Sequence, residues 1–157
     1  MQQPTTIHST FVLEHTYPVG PERVFAAFAD HAKKRRWFLE GERARVQSFE
    51  LNFRVGGSES ASNLFPEGTP VAGLTCSSET IYQNIVPNRR IVFTSTMSIQ
   101  RNCISAALAT VELLPSKRGT DLILTHQAAF FEGADGPAMR EDGWRKLLDK
   151  LSAEIAA

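Results

Sequence analysis

Hydrophobic and polar positions along this chain follow two periods. In the last stretch, from about Asp135 onward, Trp144, Leu147, Leu148, Leu151 and Ile155 recur at the three-and-four spacing of one helical stripe. Glu141, Arg145, Lys146, Asp149, Lys150 and Glu154 occupy the other side, and Glu141 with Arg145 forms a favourable i,i+4 pair. Asp135, Gly136 and Pro137 supply the start signal, because Pro is tolerated where an N–H would be unpaired anyway. A lone helix of this length is marginal in water, so its apolar stripe has to lie against another surface.

That surface is predicted by the period-two segments before it. Phe11, Leu13, His15 and Tyr17 alternate with Val12, Glu14 and Thr16, which reads as a strand from Thr10, with Met1–Ile7 expected to be a frayed tail. Pro21 opens a short helix to Asp30 with Val24, Phe25 and Phe28 on one face, and His31–Trp37 makes a second short helical piece. Strands are predicted over Ala44–Val55, Ser58–Leu64, Leu74–Val86, Arg90–Met97, Arg101–Leu114 and Thr120–Phe130. Gly56-Gly57 and Pro87-Asn88 supply turns, and Pro115–Gly119 another, with Gly119 able to take a positive φ. Phe65–Gly73, rich in Pro and Gly, reads as a loop long enough to serve as a gate. No strand–helix–strand alternation occurs, so the class is α+β with a curved antiparallel sheet around the terminal helix.

Composition narrows the function. The length fits one domain over residues 1–157 with a sizeable core, and ten Phe predict a bulky aromatic interior. With 17 basic and 17 acidic residues there is no net positive charge to draw nucleic acid or an acidic membrane. No apolar run reaches the ~18–20 residues that span a bilayer, and MQQPTTIHST lacks the basic and apolar regions of a signal peptide. Cys76 and Cys103 are too few for a disulfide framework or a thiolate metal site, and the expected location is the reducing cytoplasm.

Chemistry-bearing motifs are sparse. The four histidines are scattered, with no HExxH-type pair for zinc, and nothing resembles GxSxG. Gly56-Gly57 leads into a strand, so it is no phosphate loop. Lys33-Lys34-Arg35-Arg36 is the densest charge cluster; four consecutive charges spread around a helix, and the expectation is a solvated face with Trp37 anchoring the helix. His126 lies in phase with Leu122 and Leu124. It either bonds backbone or water, or donates to a ligand or moves a proton; no acidic partner is visible to orient it.

Several stretches in this order resemble one superfamily: PERVFAAFAD followed by RWF, FELNFRVGG, YQNIVPNRRIVFTSTM, ISAALATVELLP, GTDLILTHQAAFFEG and GWRKLLDKL. They cover nearly the whole chain and are similar to the START-like, birch-pollen-allergen-like (SRPBCC) superfamily, in the branch of homologues of the activator of heat-shock-protein-90 ATPase. The resemblance implies the helix-grip fold, with about seven strands around the C-terminal helix. It also implies an apolar cavity of the kind that holds lipids, sterols, hormones or polyketides. It brings no shared catalytic residue, and most bacterial members of the branch have no assigned activity. At His126 many similar sequences carry an acidic residue, so no shared polar role is implied there.

The side chains expected around the interior are Trp37, Phe38, Phe53, Tyr82, Phe93, Met97, His126 and Trp144. A packed core and a ligand pocket are both open for them. The leading expectation is a non-catalytic binder of a small hydrophobic or aromatic molecule, without metal or cofactor, with His126 or Tyr82 orienting the ligand's polar end. The alternatives are a polyketide cyclase or aromatase in which His126 moves a proton, and a co-chaperone-like interaction module. For the last, the eukaryotic co-chaperone's separate N-terminal domain is not expected here. An exposed strand leaves homodimerisation open.

Overall fold

The computed structural model describes residues 5–157. The chain runs β1 (Ile7–Tyr17), α1 (Pro21–Ala29), α2 (His31–Phe38), β2 (Arg45–Leu51), β3 (Ser58–Leu64), β4 (Thr75–Val86), β5 (Arg90–Ile99), β6 (Asn102–Ser116), β7 (Gly119–Phe130) and α3 (Pro137–Ala156). The strands form one antiparallel sheet in the order β1-β7-β6-β5-β4-β3-β2, with α3 held against it in the helix-grip manner.

Tight turns set the register. β6 and β7 pair out to Ser116 and Gly119, so their turn is only Lys117-Arg118 and Pro115 belongs to the strand, a shorter connection than expected. Gly119 has φ +129°, and a Cβ there would sit 2.3 Å from the Tyr17 carbonyl oxygen; the close approach of β1 needs glycine. Asn88 takes φ +64° between β4 and β5, which its short polar side chain tolerates.

Three expectations are corrected. β1 begins at Ile7, because Ile7–Ser9 pair with Ala128–Phe130; the rest of the expected tail includes residues 1–4, which lie outside the described residues. β2 ends at Leu51 and not at Val55: Asn52 and Arg54 enter a turn, Val55 is exposed, and Gly56 N–H and Gly57 C=O bond Tyr82 at 2.8 and 3.0 Å. α3 begins at Pro137 with Gly136 (φ +90°) before it, while Asp135 turns to Arg140.

Cross-strand rows divide the concave face of the sheet. One end stacks Ile91, Val111, Leu124 and Leu13, with Leu113 and Leu122 in the next row. There Leu148, Leu151 and Ile155 of α3 and Val24 and Phe28 of α1 close a dry core. Full burial of a leucine such as Leu151 contributes about 1.5–3 kcal/mol. Tyr17 crosses this core, and its hydroxyl donates to the Leu148 carbonyl at 2.9 Å. At the other end the rows are built from small and hydroxyl-bearing residues, and there the packing opens.

Candidate functional site

The open end of the concave face has a floor of two rows. Glu59 faces Thr80, Thr80 faces Ser95 and Ser95 faces Ala107 across β3 to β6; beside them run Ala61, Ser78, Met97 and Ser105. Apart from Glu59 and Ser105, which meet Lys34 and Arg140, the floor is built mostly of short side chains, and a cavity of ≈ 60 Å³ remains above it. Tyr82, Phe93 and His126 form the wall towards the dry core, and Lys34 and Phe38 of α2 with Arg140 and Trp144 of α3 form the roof. Pockets for drug-sized ligands measure roughly 300–1,000 Å³. The space therefore suits a small molecule and not a sterol or lipid.

Trp144 hangs among three rings, with centroids 6.1 Å from Phe38, 6.5 Å from Phe93 and 6.3 Å from His126. These lie at the loose end of the range for aromatic pairs, about 4.5–7 Å. His126 is stacked on Phe11 at 4.7 Å and only 3 % exposed. Its Nδ1 is buried without a hydrogen-bond partner among the described residues. Burial first, and then the nearby Arg140 charge, lower its pKa to about 4, so the ring is neutral at physiological pH.

A buried ion pair and the arginine of a second, partly exposed pair complete the lining. Lys34 Nζ donates to Glu59 Oε1 at 2.9 Å, with side chains 5 % and 3 % exposed. The Tyr82 hydroxyl donates to the same Oε1 at 2.7 Å. Burial and the adjacent carboxylate push the Tyr82 phenol far above its ordinary value, so it remains a donor. Lys34 also lies 4.6 Å above the Phe38 ring. Opposite, Arg140 grips Asp135 through Nε and Nη2, both at 2.8 Å, and donates from Nη2 to Ser105 Oγ at 3.0 Å.

Six of the eight side chains expected inside line this cavity: Phe38, Tyr82, Phe93, Met97, His126 and Trp144. Trp37 does not. It points about 100° around α2 from Phe38, is buried against Phe28 and donates from Nε1 to the Ala27 carbonyl at 2.8 Å. Phe53 does not either; beyond the end of β2 it packs on Phe25 and on the Tyr82 ring. The lining surface is mostly apolar and also carries the charged groups of Lys34, Glu59 and Arg140. Nor do residues 65–73 touch it. That loop closes on itself through Phe65, Gly73 and Leu74 and is tied to Arg43 by the Glu67 carbonyl, so it is no gate to this cavity.

Lys34, Glu59 and Arg140 were missed by the sequence reading, and the basic run at 33–36 is not one solvated face. Lys34 pairs with Glu59, Arg35 with Glu40 and Arg36 with Glu154, because consecutive helical residues point in different directions. A signal existed. Lys34 is three and four residues before Trp37 and Phe38, and Arg140 is four before Trp144, so each charge sits in helical phase with aromatic residues. No cluster of three or more metal-ligating side chains occurs among the described residues. No described helix is long and apolar enough to cross a membrane.

Comparison with known proteins places this architecture. The family model described as activator of Hsp90 ATPase homolog 1-like protein matches residues 18–156. A crystal structure of a Rhizobium loti protein is 46 % identical, with TM-score 0.84 over 96 % of this chain and 99 % of that one. An uncharacterised protein from Rhizobium leguminosarum is 30 % identical, with TM-score 0.89 over 96 % of each chain. The AHSA1-like protein from Aeromonas hydrophila, 16 % identical with TM-score 0.70 over 94 % of this chain and 92 % of that one, shares the fold. No protein of curated function is matched.

Proposed function

The chain belongs to the activator of Hsp90 ATPase homolog 1-like family, and from that premise we propose that it binds a small organic molecule in the cavity between α2, α3 and the sheet. The observation that carries the reading is convergence. Aromatic side chains from four elements and polar groups from seven meet around one space, lined also by His126, whose Nδ1 is buried and unsatisfied among the described residues. Phe38, Phe93, Met97 and Trp144 supply apolar contact, and Lys34, Glu59, Tyr82, Ser105 and Arg140 fix orientation.

Binding is preferred to catalysis by His126. A base whose pKa is about 4 is weak at neutral pH, whereas proton transfer favours a group poised near the working pH. The test is native mass spectrometry of freshly purified protein beside Ala107→Phe, which fills the floor. The wild type is expected to carry an organic adduct that the variant lacks. An adduct retained in full by Ala107→Phe places the ligand elsewhere and defeats the reading.

A further inference from the structure

The two ion pairs at the cavity are unequal. Lys34 and Glu59 are both almost fully buried, at 5 % and 3 % exposure, so each charge is cancelled where it stands. Arg140 is 9 % exposed, and its partner Asp135 is 26 % exposed and does not line the cavity. The wall itself therefore presents two cations, Lys34 and Arg140, against one carboxylate, Glu59. At His126 the influence of Arg140 exceeds that of Asp135, so the positive member of that pair is the one turned to the cavity.

Hydrogen-bonding capacity is unspent at the same end. Arg140 uses Nε and Nη2 on Asp135 and Ser105, leaving both N–H groups of Nη1 without a partner among the described residues. Ser105 Oγ accepts from Arg140 and keeps its own proton to donate. His126, whose Nδ1 is buried without a partner among the described residues, lines the same wall, and the positive charge of Arg140 is one cause of its lowered pKa. Next to these groups come Met97, Phe93 and Trp144, which are apolar.

Resting on the binding reading above, we infer that the ligand is a small organic monoanion, its carboxylate held by Arg140 Nη1, Ser105 Oγ and His126. Its short carbon skeleton lies against Met97, Phe93 and Trp144. A carboxylate accepts several hydrogen bonds at once, and charge-assisted ones are the strongest available in a buried site. A cation is opposed at this end by Arg140, and a neutral isostere makes only the weaker, uncharged hydrogen bonds with the same donors.

Titration calorimetry on the full chain, with butyrate and benzoate beside butyramide, benzamide and butylamine, tests this. The acids are expected to bind about tenfold or more tighter than their amides, and the amine not at all. Ser105→Ala, which keeps the Arg140–Asp135 pair, should weaken the acids severalfold more than the amides and so narrow the acid-to-amide ratio; an unchanged ratio would count against a carboxylate on Ser105. In the wild type the His126 ring-nitrogen resonances should move with the acids and stay put with the amides. Equal affinity for acid and amide would overturn the anion assignment and leave a binding cavity standing. If no probe binds, the anion assignment also fails, and the adduct lost or kept in Ala107→Phe then decides the binding reading separately.

Discussion

Lys34, Glu59 and Tyr82 meet on a single carboxylate oxygen, all three almost fully buried. Such a pair adds little net stability, because the attraction roughly repays the loss of hydration; breaking it is another matter. Glu59→Ala strands an ammonium in the interior and should lower the unfolding free energy by about 3–5 kcal/mol, read by urea denaturation. The double variant Lys34→Met with Glu59→Leu should recover most of that loss, and a double variant as unstable as Glu59→Ala would argue that packing and not charge is at stake. His126 supplies a pH dependence at the same scale. Its folded pKa of about 4 is below its ordinary 6.5, so the unfolded chain binds the proton more readily. The neutral ring's contribution is whole above pH 6.5 and is lost as pH falls towards 4, by on the order of 2–3 kcal/mol. The slope of stability between those values should flatten in His126→Phe; an unchanged slope would assign it to other groups. None of these partnerships was legible beforehand. The sequence marks Lys34 and Arg140 as charges in phase with aromatic residues, but Glu59 is 25 positions from Lys34 and nothing local joins them.

Among the elements, α3 was read most fully, because a stripe repeated over five turns is a strong local signal. It contains one weak point. Gly143 lies mid-helix, and a Cβ there would meet nothing within 4 Å. Gly143→Ala should therefore raise the melting temperature, by a stabilisation of about 0.5–1 kcal/mol. Gly119 is the opposite case: Gly119→Ala meets the Tyr17 carbonyl in a backbone conformation that L residues avoid, and a loss of at least about 1–3 kcal/mol is expected. Equal effects from the two substitutions in thermal melts would mean that neither environment is as described. Strand β2 was overextended because Phe53 and Val55 keep the alternation beyond Leu51. Only hydrogen bonding to Ser58 and Tyr82 turns the backbone away.

In the whole molecule, the sheet's concave face is half filled and half hollow. The filled half stacks β6, β7 and the C-terminal part of α3 around Val111, Leu113, Leu122, Leu124 and Leu151, each at most 1 % exposed. The hollow half leans towards β2 and β3, where Phe49, Glu59 and Ala61 alone are buried beside the edge. Amide exchange should be slowest in β6 and β7 and faster by orders of magnitude in β2, β3 and residues 65–73. Uniform protection across the sheet would show that the hollow does not weaken its surroundings. A bound ligand should raise protection mainly in β3, β4 and the first turns of α3.

What the residue pattern determined by itself was the class, the element order and, outside the basic run of α2 and the end of β2, which face of each element is wet. Those follow from periods of two and of three-to-four residues, which backbone geometry imposes locally. The curved sheet around the terminal helix was within reach for the same reason, as were the six expected side chains that line the cavity. Only the tertiary structure decided that Thr80, Ser95 and Ala107 fall in one row beneath Arg140 and Trp144, leaving a space with charged walls. A void is the difference between what several distant segments could fill and what they do fill. No stretch of the chain contains that difference until strand register brings the segments together.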